Sequence, residues 1–64
     1  MNSLEAALKP FLNRDMAVWL NHHDLKVLNG RLLEVHSDHI LLRSGADQSY
    51  FIPYHSVTAF RPAQ

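Results

Sequence analysis

Pro53 is the residue that most restricts what this chain can become. It stands within Tyr50–Pro62, YFIPYHSVTAFRP, between two runs of aromatic and β-branched residues that read as strands. Proline has no N–H to give to a sheet ladder, so pairing must stop or change partner there. The reading is a strand ending at Ile52, a short corner at Tyr54-His55-Ser56, and another strand from Val57 to Phe60. A corner held between two apolar strands suits a ligand or a neighbouring subunit.

At the start of the chain, Ser3 can cap a helix whose apolar residues Leu4, Ala7, Leu8, Phe11 and Leu12 recur at steps of three and four. Pro10 interrupts this pattern. It either ends the helix near Lys9 or opens a second short turn through PFLN. The expectation is a short, imperfect helix over about 3–13, lying as a lid on the end of a barrel.

Met16–Asn21 predicts the first strand, with Met16, Val18 and Leu20 on one face and Ala17 and Trp19 on the other. Both faces are apolar, and Trp19 is expected beneath the helix. Asn21-His22-His23-Asp24 suits a hairpin turn. The second strand runs from Leu25 toward Val35, with a bend or bulge at Asn29-Gly30. Ser37-Asp38 and Ser44–Asp47 read as turns on either side of a third strand, His39–Arg43. Gln48–Ile52 and Val57–Phe60 are the fourth and fifth, and Arg61–Gln64 reads as a tail. A short N-terminal helix and five short strands predict one mostly β domain, a five-stranded, strongly bent small barrel over about 16–60.

Sixty-four residues lie near the lower limit for burying a sufficient core. The chain has no cysteine, which excludes disulfides, thiolate metal sites and cysteine nucleophiles and fits a reducing compartment. Oligomerisation is then the expected source of further burial. Six Lys and Arg balance six Asp and Glu, so the electrostatic footprint of a tight nucleic-acid binder is missing. Symmetric assembly could still concentrate arginines on one face. Neither a signal-peptide pattern nor an apolar run of membrane-span length is present. The expectation is a soluble, cytoplasmic protein with no membrane partner.

Catalytic constellations do not emerge. Ser56 beside His55 lacks an orienting acid, and Asp38 and Glu34 read as solvated turn carboxylates. Gly30 and Gly45 are too few for a phosphate loop. The five histidines raise a metal reading. His22 and His23, adjacent on a strand, would face opposite sides, whereas His36 and His39 flank Asp38 at a spacing that offers two or three ligands. Surface or structural roles are favoured for all five, with zinc across a subunit interface as the minority alternative. The chain is therefore expected to be no enzyme and to use no metal, cofactor or small-molecule substrate.

The order of motifs resembles the Sm-like superfamily, and within it the Hfq family of bacterial RNA chaperones. Pro10-Phe11-Leu12-Asn13 matches that family's helix motif, and Gly30 is followed by Ile40-Leu41-Leu42 at its spacing. His55, Val57, Thr58 and Pro62 fall where its closing motif places a histidine, a branched apolar residue, a hydroxyl and a proline. Tyr54 replaces that motif's lysine, and the family's aspartate falls on His36. Asp38 stands at the aromatic on which uridines stack, and Ser37 at the neighbouring glutamine. Of the uridine pocket only His55 is matched. A second likeness, to small Sm-like proteins of spore-forming bacteria, is carried by Gly30–Val35 (GRLLEV), Asp38 and Tyr50-Phe51-Ile52-Pro53.

The resemblance implies a ring in which the fourth strand of one subunit pairs with the fifth of the next. Tyr50, Phe51, Ile52, Val57, Thr58 and Phe60 would then form the subunit interface, and ring closure would remove every edge. Repeated around a ring, Tyr54 and His55 would offer stacking and hydrogen bonds to single-stranded bases, with Arg31, Arg43 and Arg61 on phosphates. The expected function is a homo-oligomeric Sm-like ring that binds single-stranded RNA weakly. The alternative is a structural assembly module, spore-associated, in which Tyr54 and His55 pack at an interface and no nucleic acid binds.

Overall fold

Pro10 divides the N-terminal segment of the chain, which a computed structural model describes over residues 3–63. Helix α1 covers Ser3–Leu8, and a single 3-10 turn follows at Lys9–Phe11 with Pro10 at its start. Proline cannot donate to the preceding turn and its ring crowds the carbonyl four residues back, so the α-helix stops. The regular helix is therefore shorter than the 3–13 expectation. Asn13 then takes a left-handed conformation, φ 66°, which asparagine tolerates better than most residues. Its N–H donates to the Leu32 carbonyl at 2.7 Å, and the Leu32 N–H donates to the Arg14 carbonyl at 3.0 Å. These two bonds seat the N-terminal segment on the sheet.

Five strands follow: β1 Asp15–Leu20, β2 Val27–Val35, β3 His39–Ser44, β4 Gln48–Pro53 and β5 Val57–Pro62. They form one antiparallel sheet in the order β4-β3-β2-β1-β5. β5 is longer than expected, because Arg61 and Pro62 pair with Ala17 and Met16 of β1. Of the expected tail only Ala63 remains beyond the strand, and Gln64 lies outside the described residues.

The short helix and five-stranded antiparallel sheet agree with the expected mostly β domain, and the sheet does not close on itself: β4 and β5 are its two outer strands. They are consecutive in the chain and joined by only one 3-10 turn, Tyr54–Ser56. So short a link between opposite edges requires a sheet bent far enough to bring those edges near each other. Register shifts supply bending, one in β1 between Trp19 and Leu20 and one in β2 between Leu32 and Glu34. The expected bulge at Asn29-Gly30 is absent, since Gly30 lies in regular register opposite Met16. The glycine is needed for another reason: a Cβ there would collide with the backbone carbonyl of Arg43 on β3.

One face of the sheet carries the core. Met16 and Val18 of β1, Leu28 and Leu32 of β2, Ile40 and Leu42 of β3 and Ile52 of β4 cluster with Leu8 and Tyr54. Each fully buried aliphatic side chain of this kind contributes about 1.5–3 kcal/mol. Leu4 and Phe11 pack on the same cluster, so the helical segment covers the core face, as a lid would. Trp19 points the other way and is 37% exposed, which corrects its expected place beneath the helix. Strand alternation put it opposite Met16 and Val18, and the helix chose their side. Among the described residues, no helix is long and apolar enough to cross a membrane.

Candidate functional site

The corner after Pro53 is clamped from two sides. The Tyr54 N–H donates to the Asp38 carbonyl at 3.1 Å, and the Tyr54 hydroxyl donates to the His36 carbonyl at 2.5 Å. From the other side, the Asn21 N–H donates to the Ser56 carbonyl at 2.9 Å and its side-chain amide to the His55 carbonyl at 3.1 Å. The β2–β3 turn and the end of β1 thus hold Tyr54–Ser56 between them. Tyr54 is buried in the core, and burial pushes its hydroxyl above the usual phenol range, with the charges of Glu5 and Asp38 adding to the effect. A side chain so placed has no free face for a base. Only His55 of the Tyr54–His55 pair is exposed.

The strands flanking this corner leave their outer edges unpaired. On β4, Ile52 is buried, Tyr50 half-buried and Phe51 exposed. On β5, Val57 and Phe60 are half-buried, while Thr58 is exposed and donates its hydroxyl to the Trp19 carbonyl at 3.1 Å. An apolar cleft of about 170 Å³ opens between β4 and the β1–β2 loop, lined by Leu20, Leu25, Leu28, Tyr50, Ile52 and Pro53 among others. It lies beside β4 and reaches the corner at Ser56.

Two of the three candidate phosphate-binding arginines come together. Arg31 of β2 lies directly opposite Arg43 of β3, a like-charge pairing that is unfavourable unless neighbours compensate. Arg31 donates to the Asp15 carboxylate at 3.4 Å, and Arg43 donates to the Ala46 carbonyl in the β3–β4 turn. Arg61 is apart from them, with its guanidinium carbon 5.9 Å from the centre of the Trp19 ring, a cation–π arrangement.

Four of the five histidines form two stacked pairs. His22 and His23 lie in the β1–β2 loop rather than on a strand, and their rings stack 5.1 Å apart at 10°, not on opposite sides as strand geometry would have them. With Asp24 they bring three potential ligand atoms within 4.8 Å of one another. The set is poorly prepared for an ion. Near-parallel rings do not converge their nitrogens on one point, and the His22 Nδ1 accepts the N–H groups of Asp24 and Leu25 at 3.1 and 3.2 Å. That tautomer leaves the proton on the other ring nitrogen.

At the β2–β3 turn, His36 and His39 stack at 4.5 Å, with Nε2 of His36 2.6 Å from Glu34 and Nδ1 of His39 2.6 Å from Asp38. The His39 hydrogen bond, aided by its charge, holds the Asp38 carboxyl below the usual range. His39 also stacks on Phe51 of β4 at 4.0 Å. Sequence reasoning missed this three-ring column and the Trp19–Arg61 pair. The His39–Phe51 and Trp19–Arg61 contacts join residues on neighbouring strands, whose only trace in the sequence is a position on the face opposite the core.

No family model, curated protein or solved structure matches this chain.

Proposed function

We propose that this protein is a self-assembling β module of the Sm-like kind, in which the free edge of β4 pairs with the free edge of β5 in the next copy until a ring closes. One observation carries the reading: two consecutive strands, each of six residues, lie at opposite edges of the sheet with their outer sides unpaired. Exposed edges invite pairing, and a head-to-tail contact that closes satisfies all of them at once. Pro53 supports it by ending β4 with a residue that cannot extend a hairpin into β5. The small core gives assembly a thermodynamic motive, because a chain of 64 residues gains from further burial. The test is mass in solution by light scattering for the wild type and for Ala59→Lys, an edge charge of the kind that blocks pairing. A wild-type monomer at all concentrations would sink the proposal.

A second reading, weak binding of single-stranded RNA by the assembled ring, rests on the Arg31–Arg43 pair, whose facing charges a phosphate would relieve. His55 at the corner and Arg61 on β5 remain its other contacts, and Tyr54 leaves the set because it is buried. Salt-titrated binding of uridine-rich and adenine-rich oligonucleotides tests it. Affinity weaker than micromolar at low salt for both would leave assembly as the whole function.

A further inference from the structure

Phe51 is the most exposed large apolar side chain among the described residues, at 62%. Its neighbour Ile52 points into the core, so Phe51 lies on the outer face of β4. It is held there, with its ring stacked 4.0 Å from His39, which in turn stacks on His36. At the other edge of the sheet, the outer face of β5 presents Ala59, directly opposite Trp19 of β1, and Arg61, directly opposite Ala17. Trp19 and Arg61 are both exposed, with the guanidinium over the indole ring, and Ala59 beside Trp19 carries only a methyl group. The indole, the guanidinium and the methyl thus share one exposed platform on the outer face of β1 and β5.

We infer that Phe51 of one copy docks on the Ala59–Trp19–Arg61 platform of the next. The inference rests on the edge-pairing reading above and deepens it. Any pairing that continues the sheet from β4 into a neighbour's β5 sets outer-face side chains beside outer-face side chains, and a slip of one residue would turn Phe51 to the wrong side. The occupant is a second copy because both halves of the contact belong to this chain, stand at its two unpaired edges and are incomplete apart. The ring covers the indole and the methyl, and Arg61 lies within reach of both aromatic faces. Aromatic residues and arginine are the types that anchor protein interfaces. Docking of this kind makes the side chains, and not the backbone edge alone, select a like copy over a foreign strand.

Trp19 is the chain's sole tryptophan, so its emission reports on the platform directly. The experiment follows mass by light scattering and Trp19 emission against concentration in the full chain. Phe51→Thr removes the ring but keeps a strand-forming side chain. Ala59→Gln fills the platform from the other edge, and Ser49→Thr, on the same face of β4, is the control. In the wild type, emission should move to shorter wavelength as mass rises. Phe51→Thr and Ala59→Gln should each raise the concentration of half-assembly about ten-fold or more and remove the shift, with Ser49→Thr matching the wild type. Wild-type assembly without any change in emission overturns the docking while leaving edge pairing intact. So does Phe51→Thr assembling at the wild-type concentration, or Ser49→Thr losing as much as Phe51→Thr. A wild type that stays monomeric overturns both proposals together.

Discussion

The Tyr54 hydroxyl donates to the backbone carbonyl of His36 at 2.5 Å while the Tyr54 N–H donates to the carbonyl of Asp38 at 3.1 Å. One core residue thus ties the corner between the two edge strands to a turn formed sixteen and more residues earlier. Tyr54→Phe, which removes only the hydroxyl, is expected to lower stability by about 1 kcal/mol. Tyr54→Ala empties the ring from the core and should cost about 3–5 kcal/mol. Urea denaturation measures both. A Tyr54→Phe protein as stable as the wild type would mean that this bond contributes nothing to the clamp.

Asp38 confers an acid dependence whose sign follows from its environment. The His39 hydrogen bond lowers its folded-state pKa below the ordinary 3.8. The stabilisation is therefore present above the unfolded value and is lost as pH falls through the folded one. Thermal melts of the wild type and Asp38→Asn should differ near pH 6, and the difference should shrink as pH falls below 3.8. Parallel curves across that range would refute the linkage. The carboxylate is solvent-exposed, so the difference should be small and should shrink with added salt.

The two glycines should respond differently to alanine. Gly30→Ala forces a Cβ against the Arg43 carbonyl, in backbone that cannot move without disturbing the β2–β3 ladder. A loss of about 2 kcal/mol or more is expected. Gly45 has open space around it but holds φ at 79° in the β3–β4 turn. Its replacement should cost about 1 kcal/mol through backbone strain alone. Equal losses at the two sites, measured by chemical denaturation, would contradict this ranking.

Leu8 is fully buried and is the helix's main contribution to the core. Leu8→Ala is expected to destabilise by about 2–5 kcal/mol, a large part of what a domain of this size possesses. Exposed Ala7→Ser, one position away, should change little. If the two variants melt alike by circular dichroism, the helical segment is not the lid described.

Much of the fold was legible because its signals are local. Alternation in Met16–Leu20 correctly separated Met16 and Val18 from Trp19, and the Gly45 turn and the stop at Pro53 followed from backbone chemistry alone. The misplaced readings share one cause. The place of Trp19, the absence of a bulge at Gly30 and the extension of β5 past Phe60 each depend on what a distant strand or helix does. Arg61 and Pro62 have no strand signature of their own and become strand only because β1 lies beside them.

The candidate site divides along the same line. Residue types marked Tyr50–Phe60 as two strands and a corner, and that holds. The pairing of Tyr54 with His55 as a surface site does not, because the β2–β3 turn draws Tyr54 inward through two hydrogen bonds. Nor could spacing reveal that Phe51 would stack on His39 or Arg61 on Trp19.

The sequence by itself determined that five strands form, which side chains within a strand share a face, and that the chain must turn at Pro53. Those outcomes follow from backbone geometry and apolar alternation acting over a few residues. Tertiary structure alone decided that β4 and β5 are the free edges, that Tyr54 is core, and that Phe51 and Ala59 stand exposed at opposite sides of one sheet. The reason is physical: strand order and burial are set by which distant segments pair and pack, and alternation within a segment carries no record of its partner.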